Sequence, residues 1–339
     1  MNIDDSTITT LNTYLSANVP RFKHLQRLEK FSDGQSNPTY RVFANSGEYV
    51  LRSKPPGELL KSAHAVDREY RVMSALAESD VPVPDTLHLC EDRSVFGAEF
   101  FIMSFVPGRI FWNPALPELP KEDRLRCYDA INKTLAAIHQ VDIQAVGLSD
   151  YGKPGNYFAR QTSRWTQQYL ATETEDIPAM NAVMRWLEAN MIADDGRVAL
   201  VHGDYRIDNL LFNDSGTSVL AVLDWELSTL GHPFADLAYQ CALWRLPPDG
   251  ALAGLAGIEK REEGLPEEAE YVERYCQRTQ ISSIEHWNFY LVFSLFRMAA
   301  IVQGVKKRAL EGNASASKDY ALRVGALTSP LASEAASLL

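Results

Sequence analysis

Three side chains with hard oxygen atoms lie in one short stretch of the sequence. Asp204 and Asn209 belong to the segment His-Gly-Asp-Tyr-Arg-Ile-Asp-Asn, residues 202–209, and Asp224 follows 15 residues after Asn209. Two carboxylates and one amide oxygen suit Mg²⁺, which prefers oxygen ligands and retains waters or phosphate oxygens as its other ligands. If these side chains meet in space, the stretch predicts a magnesium site.

The apolar runs around these residues predict the elements that bring them together. Runs at residues 198–201 and 210–212 flank the segment, and a strongly apolar run covers residues 219–223. The Asn-Asp-Ser-Gly turn at residues 213–216 predicts antiparallel pairing of the last two runs. Pairing would bring the three oxygen-bearing side chains to the same end of a β-ribbon.

The first third of the chain has the texture of a small sheet with one helix. Short apolar runs separated by Gly, Asn and Ser predict hairpins, and helical spacing of Tyr70, Met73 and Leu76 predicts a helix. The predicted elements are a helix and connection over residues 1–30, strands at 40–43 and 48–52, a helix at 65–77, and strands at 85–90 and 99–105.

After a short hinge near residues 103–108 the pattern becomes mainly helical. Residues 122–139 place Leu125, Tyr128 and Ile131 on one face of an amphipathic helix. The sequence therefore predicts an α+β protein with a β-rich N-terminal lobe at residues 1–105 and a larger helical C-terminal lobe at residues 106–339.

The motif His202-Gly203-Asp204, with Asn209 five residues after the aspartate and Asp224 at a strand end, resembles a known catalytic core. It is similar to that of the aminoglycoside phosphotransferase and choline kinase-like superfamily. The wider run at residues 201–239, with Leu-Asp-Trp-Glu-Leu-Ser-Thr-Leu-Gly and Ala-Asp-Leu-Ala-Tyr, is most similar to the acyl-CoA-dehydrogenase-associated kinase-like branch. The resemblance implies a two-lobed protein-kinase-like fold.

The resemblance also implies roles for the oxygen-bearing side chains. Asp204 would be the catalytic base that accepts the proton of a hydroxyl group or orients that hydroxyl. Asn209 and Asp224 would hold magnesium against the oxygens of ATP, the cosubstrate. His202 would pack beneath the loop, and Asp236 would tie down the loop backbone. Asp208 is assigned no metal.

The resemblance implies a nucleotide site in the first third of the chain. Gly34 and Ser36, in a polar turn that is by itself unremarkable, would offer backbone N–H groups to phosphates. Arg52 stands where many kinases have lysine, and Glu69 lies 17 residues later at the position of its carboxylate partner. Lys54 is a second candidate cation. The backbone from Met103 to Phe105 would bind adenine.

Bulk composition limits the other classes of function. The 339 residues carry a formal net charge of -11, which argues against a general nucleic-acid-binding protein. Four well-separated cysteines without a CxxC pair predict buried thiols. The apolar run at residues 287–302 contains Ser294 and Arg297 and predicts a core helix rather than a membrane span. An N-terminus without a signal-peptide pattern leads us to expect a cytoplasmic protein that needs no membrane.

The acceptor is the least determined part of the prediction. A group of residues combines aromatic faces with cations that could hold an acyl or anionic substrate, although an aromatic stripe is more often part of the core: Tyr157, Phe158, Arg160, Arg164 and Trp165. The branch resemblance implies a hydroxyacyl group, as a coenzyme A thioester or a hydroxy acid. The alternatives are an aminoglycoside or amino-alcohol kinase, a non-catalytic kinase-like nucleotide-binding module, and a metal-dependent hydrolase. The hydrolase would use His202 and the aspartates and would need further histidines, for which His139 and His232 are the candidates. The oligomeric state is not predicted.

Overall fold

A computed structural model describes residues 4–31, 37–55, 65–312 and 317–339. The chain forms two units, each with its own internal packing. The first comprises Met1–Gly108 together with Leu220–Leu227, and the second comprises Arg109–Val219 together with Ser228–Leu339. The predicted boundary at residues 105/106 did not include the return of residues 220–227 to the N-terminal unit. Their inclusion follows from contacts such as the hydrogen bond from the amide of Val222 to the carbonyl of Pro82 (2.8 Å).

The first unit contains a five-stranded sheet in the order β1-β2-β3-β5-β4, in which every neighbouring pair is antiparallel. Its strands are β1 (Leu25–Lys30), β2 (Thr39–Ala44), β3 (Gly47–Ser53), β4 (Thr86–Cys90) and β5 (Phe100–Ser104). Its helices are α1 (Asp5–Asn18), α2 (Val66–Leu76) and the short α3 (Arg93–Phe96).

The predicted hairpin is confirmed as β2 and β3, with Tyr40 opposite Leu51 and the turn closing at Ala44 and Gly47. The predicted helix is α2, and the second predicted strand pair is β4 and β5. Alternation along β2 buries Tyr40 and Val42 against the α1 residues Leu11 and Leu15, which are fully buried. This apolar layer fixes the register of β2, because a shift by one residue would turn Tyr40 and Val42 away from α1.

Two elements of this unit differ from the sequence prediction. β1 occupies a region predicted as a connection, since its sequence, Leu-Gln-Arg-Leu-Glu-Lys, is mostly polar and buries only Leu25. The segment predicted as a plain connection between β4 and β5 contains α3, whose first turn is capped by the carboxylate of Asp92 accepting from the amide of Ser94 (2.9 Å).

The second unit is mainly helical, as predicted. Its helices are α4 (Lys121–His139), α5 (Tyr157–Thr172), α6 (Pro178–Ala189), α7 (Phe234–Trp244), α8 (Glu268–Thr279), α9 (Trp287–Leu310), α10 (Lys318–Gly325) and α11 (Thr328–Ala336). The short strands β6 (Ala199–Val201) and β9 (Thr229–Gly231) pair antiparallel. β7 (Leu210–Phe212) precedes β8 (Val219–Val222), in which the chain passes to the first unit.

The predicted turn between β7 and β8 is present. The amide of Asn213 donates to the carbonyl of Ser218 (3.1 Å), and the amide of Gly216 donates to the carbonyl of Asn213 (2.9 Å). In α4, which matches the predicted helix, Tyr128 and Ile131 are buried as expected. Leu125 was wrongly placed on that face, because it lies 44% exposed on the outer side of the helix.

Helix α9 is the central helix of the second unit and packs against α5, α6, α7, α10 and α11. Judged by length and composition alone, the helix could cross a membrane. However, 83% of its most apolar 18-residue segment is buried inside the protein. That burial agrees with the predicted core helix, and it places the charged side chain of Arg297 in a buried setting.

Candidate active site

The loop after β6 is held by one buried carboxylate. Both oxygens of Asp236 accept backbone N–H groups, from His202 (2.6 Å) and from Gly203 (2.8 Å). Gly203 has a φ of +86°, a conformation that glycine adopts without the steric cost of a side chain. Asp236 therefore plays the predicted supporting role, fixing the backbone immediately before Asp204.

Asp236 is itself stabilised as an anion although it is completely buried. Burial raises the pKa of this carboxyl, but His139, 3.3 Å away, and the two backbone N–H groups outweigh burial, so the pKa lies below its ordinary value. The other ring nitrogen of His139 is 2.7 Å from the hydroxyl of Tyr275. A charged group at this depth needs such partners, and here they are supplied by α4 and by the loop after β6.

Asp204 presents a carboxylate whose two oxygens have different partners. The hydroxyl of Tyr239 donates to Oδ1 (2.6 Å), and the side-chain amide of Asn209 donates to Oδ2 (3.0 Å) and to the backbone carbonyl (2.9 Å). The side chain keeps 26% of its surface exposed, so the carboxylate is oriented and still accessible to a hydroxyl group. Each oxygen retains a lone pair, because a carboxylate has about four acceptor positions.

The charge environment favours the ionised form of Asp204. Burial tends to raise its pKa, but Arg206, the Tyr239 hydrogen bond and the more distant His202 and Arg297 together lower it below the ordinary value. The guanidinium of Arg206 lies 3.9 Å from Oδ1 and forms its close ion pair with Asp208. Asp208 is thus part of an ion pair with its neighbour, consistent with leaving it without a metal role.

Asn209 ends a short 3₁₀ helix, Ile207–Asn209, that leads directly into β7. Its amide nitrogen donates to Asp204, whereas its Oδ1 has no hydrogen-bond donor among the residues the structure describes. His202 is completely buried, and its Nδ1 accepts the amide N–H of Asp204 (3.2 Å). It packs beneath the loop, as predicted.

In the first unit, Arg52 joins two carboxylates from separate parts of the chain. Its Nε donates to Oε2 of Glu69 (2.7 Å), and its Nη2 donates to Oδ1 of Asp224 (2.5 Å). The structure therefore brings together the predicted pair, Arg52 on β3 and Glu69 on α2. It adds Asp224 to that pair, a contact that sequence spacing did not predict.

This cluster carries more negative than positive charge. Glu226 lies 3.8 Å from Arg52 and accepts from the side chain of Asn37 (3.1 Å). Burial raises the pKa of Glu69; Arg52 opposes that effect, while Asp224 and Glu226 raise the pKa further. Burial lowers the pKa of Arg52, but the same three carboxylates outweigh burial and raise that pKa above its ordinary value, so the guanidinium stays charged. Three carboxylates around one cation form a site that would gain from a second cation.

Asp224 occupies a strained position directly after β8. Its φ is +64°, in the left-handed region that few residues other than glycine adopt, although aspartate tolerates it better than most. Its Oδ2 has no hydrogen-bond donor within the described part of the chain. Backbone strain of this kind persists where surrounding contacts fix a side chain in a required direction.

Lys54 does not substitute for Arg52. Lys54 is the residue immediately after the end of β3. Its ammonium group lies 2.5 Å from a carboxylate oxygen of Glu99 and 3.5 Å from one of Asp67. It therefore has its own partners and makes no ion pair with Glu69.

The remaining predicted nucleotide residues lie in or near the sheet. Met103 is on β5, opposite Val50 of β3 and Thr86 of β4, so the strand continues into the segment predicted as a hinge. Phe105 follows the strand and lies under the guanidinium of Arg41, 4.2 Å from the ring centroid. Gly34 and Ser36 fall outside the described residues.

The predicted acceptor pocket divides into core and surface. Phe158 is buried among the rings of His232, Phe289, Tyr290 and Phe293, so it is a core residue and was wrongly predicted to line the pocket. Arg160 donates to the carbonyls of Lys153 (2.6 Å) and Pro154 (3.3 Å) and braces that loop. Arg164 is exposed and Trp165 is half-buried.

Two residues that contact the loop after β6 or Asp204 within it were missed by the sequence reasoning. Tyr239 follows Asp236 by three residues on α7, so the two share a helix face; that spacing could have revealed it. Arg297 on α9 donates from Nη2 to the carbonyl of Gly203 (2.7 Å). A charged residue inside an otherwise apolar helix was the available signal.

The histidines named for a metal-dependent hydrolase contact other protein groups. Within residues 4–31, 37–55, 65–312 and 317–339, no three His, Cys, Asp or Glu side chains form a group suited to a metal ion. His139 contacts Asp236 and Tyr275, and His232 lies 3.3 Å from Asp195. The histidines that such an enzyme would need as ligands contact other protein groups.

Residues 27–272 match the model of the phosphotransferase enzyme family, APH. The chain belongs to this family. An acyl-CoA dehydrogenase family member 10 from Mus musculus is 48% identical over 306 residues, covering 90% of this chain. The chain spans only 28% of that relative's length. The predicted resemblance to the acyl-CoA-dehydrogenase-associated branch is confirmed.

Solved phosphotransferases share the fold. A protein from Ralstonia eutropha JMP134, described as a candidate aminoglycoside phosphotransferase, is 46% identical, with a TM-score of 0.88 and 97% of each chain covered. Spectinomycin phosphotransferase, solved with ADP and spectinomycin, is 12% identical, with a TM-score of 0.61 and 98% of each chain covered. The second likeness shows the fold alone. The predicted kinase-like α+β fold is confirmed.

Proposed function

We propose that the chain is an ATP- and magnesium-dependent phosphotransferase that phosphorylates a hydroxyl group of a small molecule. The observation that carries this proposal is the Asp204 carboxylate, oriented by Tyr239 and Asn209 and still 26% exposed. Phosphoryl transfer needs mainly positioning and charge neutralisation, so a fixed, accessible carboxylate can act as the base that accepts the acceptor's hydroxyl proton.

Asn209 and Asp224 are the proposed magnesium ligands. Asn209 Oδ1 and Asp224 Oδ2 are hard oxygens without a hydrogen-bond donor in the described parts of the chain, a donor set that fits Mg²⁺. When bound, the ion would neutralise charge on the triphosphate oxygens. Asp224 is held in direction by Arg52, and Asn209 by its two hydrogen bonds to Asp204.

Arg52, oriented by Glu69, is proposed to bind the triphosphate. Its guanidinium is a fork of five N–H donors, which suits phosphate as well as carboxylate. Gly34 and Ser36 would contribute backbone N–H groups to the same phosphates, and the backbone from Met103 to Phe105 would bind adenine. The amide of Ser104 already donates to the carbonyl of Asp85 (2.8 Å). The other backbone groups of this segment would therefore bind the adenine.

The proposed acceptor is a hydroxyacyl group, as a hydroxy acid or its coenzyme A thioester. Support comes from the relationship to acyl-CoA dehydrogenase family members and from the arginines near the catalytic loop. An aminoglycoside is polycationic and would gain from an acidic pocket instead. Aminoglycosides remain among the acceptors to be tested, because the similar Ralstonia eutropha protein is described as a candidate aminoglycoside phosphotransferase.

A phosphate-transfer screen tests the proposal. The protein with ATP and MgCl₂ is incubated with hydroxy acids, hydroxyacyl-coenzyme A thioesters, aminoglycosides and amino alcohols, and products are weighed by mass spectrometry. The expected result is a phosphorylated hydroxy acid or thioester whose formation is lost in Asp204→Asn and Asp224→Asn. Asp214→Asn, in the β7–β8 turn, is the matched control and should retain activity.

Removing a general base should lower kcat by about 10²–10⁴-fold. ATP binding without transfer to any acceptor would favour the non-catalytic nucleotide-binding module. Transfer that survives chelation of magnesium, or that is unchanged in Asp204→Asn, would refute the mechanism.

A further inference from the structure

Arg297 is a buried cation without a close carboxylate partner. The residue is 7% exposed and lies between Phe296 and Met298 on α9, both nearly fully buried. Within the described ranges of the chain, no aspartate or glutamate oxygen lies within 4.0 Å of its guanidinium. Its hydrogen bond from Nη2 ends on a neutral acceptor, the carbonyl of Gly203 (2.7 Å). A buried charge is costly unless an anion offsets it.

The guanidinium still has donor capacity on a side that meets solvent. Among the described residues, a few buried side-chain nitrogens and oxygens have no hydrogen-bond partner, and Nε1 of Trp165 is one of them. No nitrogen of Arg297 is both buried and without such a partner. Since Nη2 is the one nitrogen of this guanidinium with an acceptor among the described residues, the other nitrogens meet solvent. Five donors with one partner can bind a further anion.

Arg297 lies beside the proposed base. Its guanidinium carbon is 5.7 Å from the ring centroid of Tyr239, whose hydroxyl donates to Asp204. It is also 5.8 Å from the ring centroid of Trp165. The same Trp165 ring has Arg164 at 5.5 Å, so two guanidinium groups flank one indole a short distance from the proposed phosphorylation centre.

The two arginines differ in the freedom of their side chains. Arg297 is fixed by the Gly203 carbonyl, whereas Arg164 is exposed on α5 and makes no hydrogen bond or ion pair with the described residues. A fixed cation and an adaptable one around an aromatic face suit a planar or tetrahedral anion attached to an apolar chain. A polycationic acceptor would be repelled by both.

We propose that Arg297 and Arg164 bind an anionic group of the acceptor beside Trp165, making an anionic hydroxyl compound the preferred substrate. The inference rests on the proposed function of Asp204 but concerns a different property, the charge of the acceptor. The anion is a carboxylate or a phosphate, and these would come from a free hydroxy acid or from the coenzyme A part of a thioester.

Binding calorimetry separates this inference from catalysis, because it needs no phosphate transfer. The probes are a hydroxy acid, its neutral methyl ester and its coenzyme A thioester, each titrated into the full chain with ADP and MgCl₂. The wild-type protein should bind an anionic form about tenfold to a hundredfold more tightly than the ester, as expected for charge-assisted hydrogen bonds. Preference for the acid identifies a carboxylate subsite, and preference for the thioester alone identifies a phosphate subsite.

The variants Arg164→Gln and Arg297→Gln should each reduce the ratio of anionic to neutral affinity toward one, while Arg185→Ala, an exposed arginine on α6, should leave it unchanged. If Arg297→Gln fails to fold, judged by its thermal unfolding, Arg164→Gln decides alone. Equal binding of acid, thioester and ester by the wild-type protein would overturn the inference. So would a preference that both glutamine variants retain, or failure of every anionic probe to bind. Absence of phosphate transfer despite this preference would overturn only the proposed function.

Discussion

Nη2 of Arg52 lies 2.5 Å from Oδ1 of Asp224, while Nε of the same guanidinium lies 2.7 Å from Oε2 of Glu69. One side chain therefore orients two carboxylates that are far apart in sequence. An ammonium group is a compact charge on a flexible stem and lacks the planar fork that makes these two contacts in different directions.

Replacing Arg52 by lysine should therefore not be conservative. We expect Arg52→Lys to raise KM for ATP by about tenfold, the size of one charge-assisted hydrogen bond, and Arg52→Met to raise it further. Steady-state kinetics at varied ATP measure the effect. Arg27→Lys, at an exposed ion pair with Glu29 on β1, is the control and should leave KM unchanged. Wild-type KM in Arg52→Lys would show that the fork is dispensable.

Tyr239→Phe isolates the hydrogen bond to Asp204, because the ring is kept and only the hydroxyl is lost. The carboxylate would lose the donor on Oδ1 and one restraint on its orientation, so kcat should fall by about tenfold with KM for ATP unchanged. The matched control is Tyr169→Phe. Tyr169 is also buried, but its hydroxyl has no hydrogen-bond partner among the residues that the structure describes, so its removal should be neutral. An unaltered kcat in Tyr239→Phe would rule out this positioning role.

Asp236→Asn should destabilise the protein in a pH-dependent way. The pKa of Asp236 is depressed in the folded state, so its contribution to stability is present above the ordinary pKa of about 3.9 and is lost as pH falls through the folded-state value. Near neutral pH the variant should lose about 2–4 kcal/mol, because buried backbone donors lose their anionic acceptor.

Denaturant unfolding from pH 7 down to pH 3 measures the effect. The difference in unfolding free energy between the wild type and Asp236→Asn should be largest at neutral pH and should shrink below about pH 4. Two stability curves that stay parallel across this range would contradict the assignment of a depressed pKa.

The loop after β6 and much of the first unit were predictable because their signals are local. The β2–β3 hairpin has alternating apolar residues and a Gly-containing turn, and Asp204 and Asn209 belong to one continuous motif. β1 was missed because its one buried leucine leaves no alternation to detect. β9 is three residues long, and its pairing with β6 depends on a contact about thirty residues distant in sequence.

The side chains that orient Asp204 were harder to predict than Asp204 itself. Tyr239 lies on α7 and contacts Asp204, and Arg297 lies on α9 and contacts Gly203. The periodicity of a helix predicts which of its residues share a face, but not which residues of another segment they contact. The Arg52–Asp224 contact is of the same kind. Sequence reasoning found the residues that carry an identifiable chemistry, and tertiary packing determined their supports.

Gly231→Ala should lower stability because of close packing on β9. A Cβ atom at this position would lie 2.5 Å from a ring carbon of Tyr157 and 3.1 Å from Cγ2 of Val201, so the ring must move. We expect a loss of about 1–3 kcal/mol, the usual range for overpacking. Gly304→Ala, on α9, is the contrast: its Cβ would meet Arg308 at 3.6 Å, and alanine favours helix. In thermal unfolding, the midpoint temperature should fall for Gly231→Ala and rise for Gly304→Ala.

The return of Leu220–Leu227 to the first unit has a consequence for synthesis of the chain on the ribosome. Domains generally begin to fold in the order in which they emerge. Here the N-terminal sheet can emerge and collapse, but Arg52 lacks Asp224 and Glu226 until residue 227 has left the exit tunnel. The first unit to be translated is therefore completed only after a large part of the second has been made. A nascent chain stalled before residue 220 should hold β3 and α2 without the carboxylates that complete their ionic cluster.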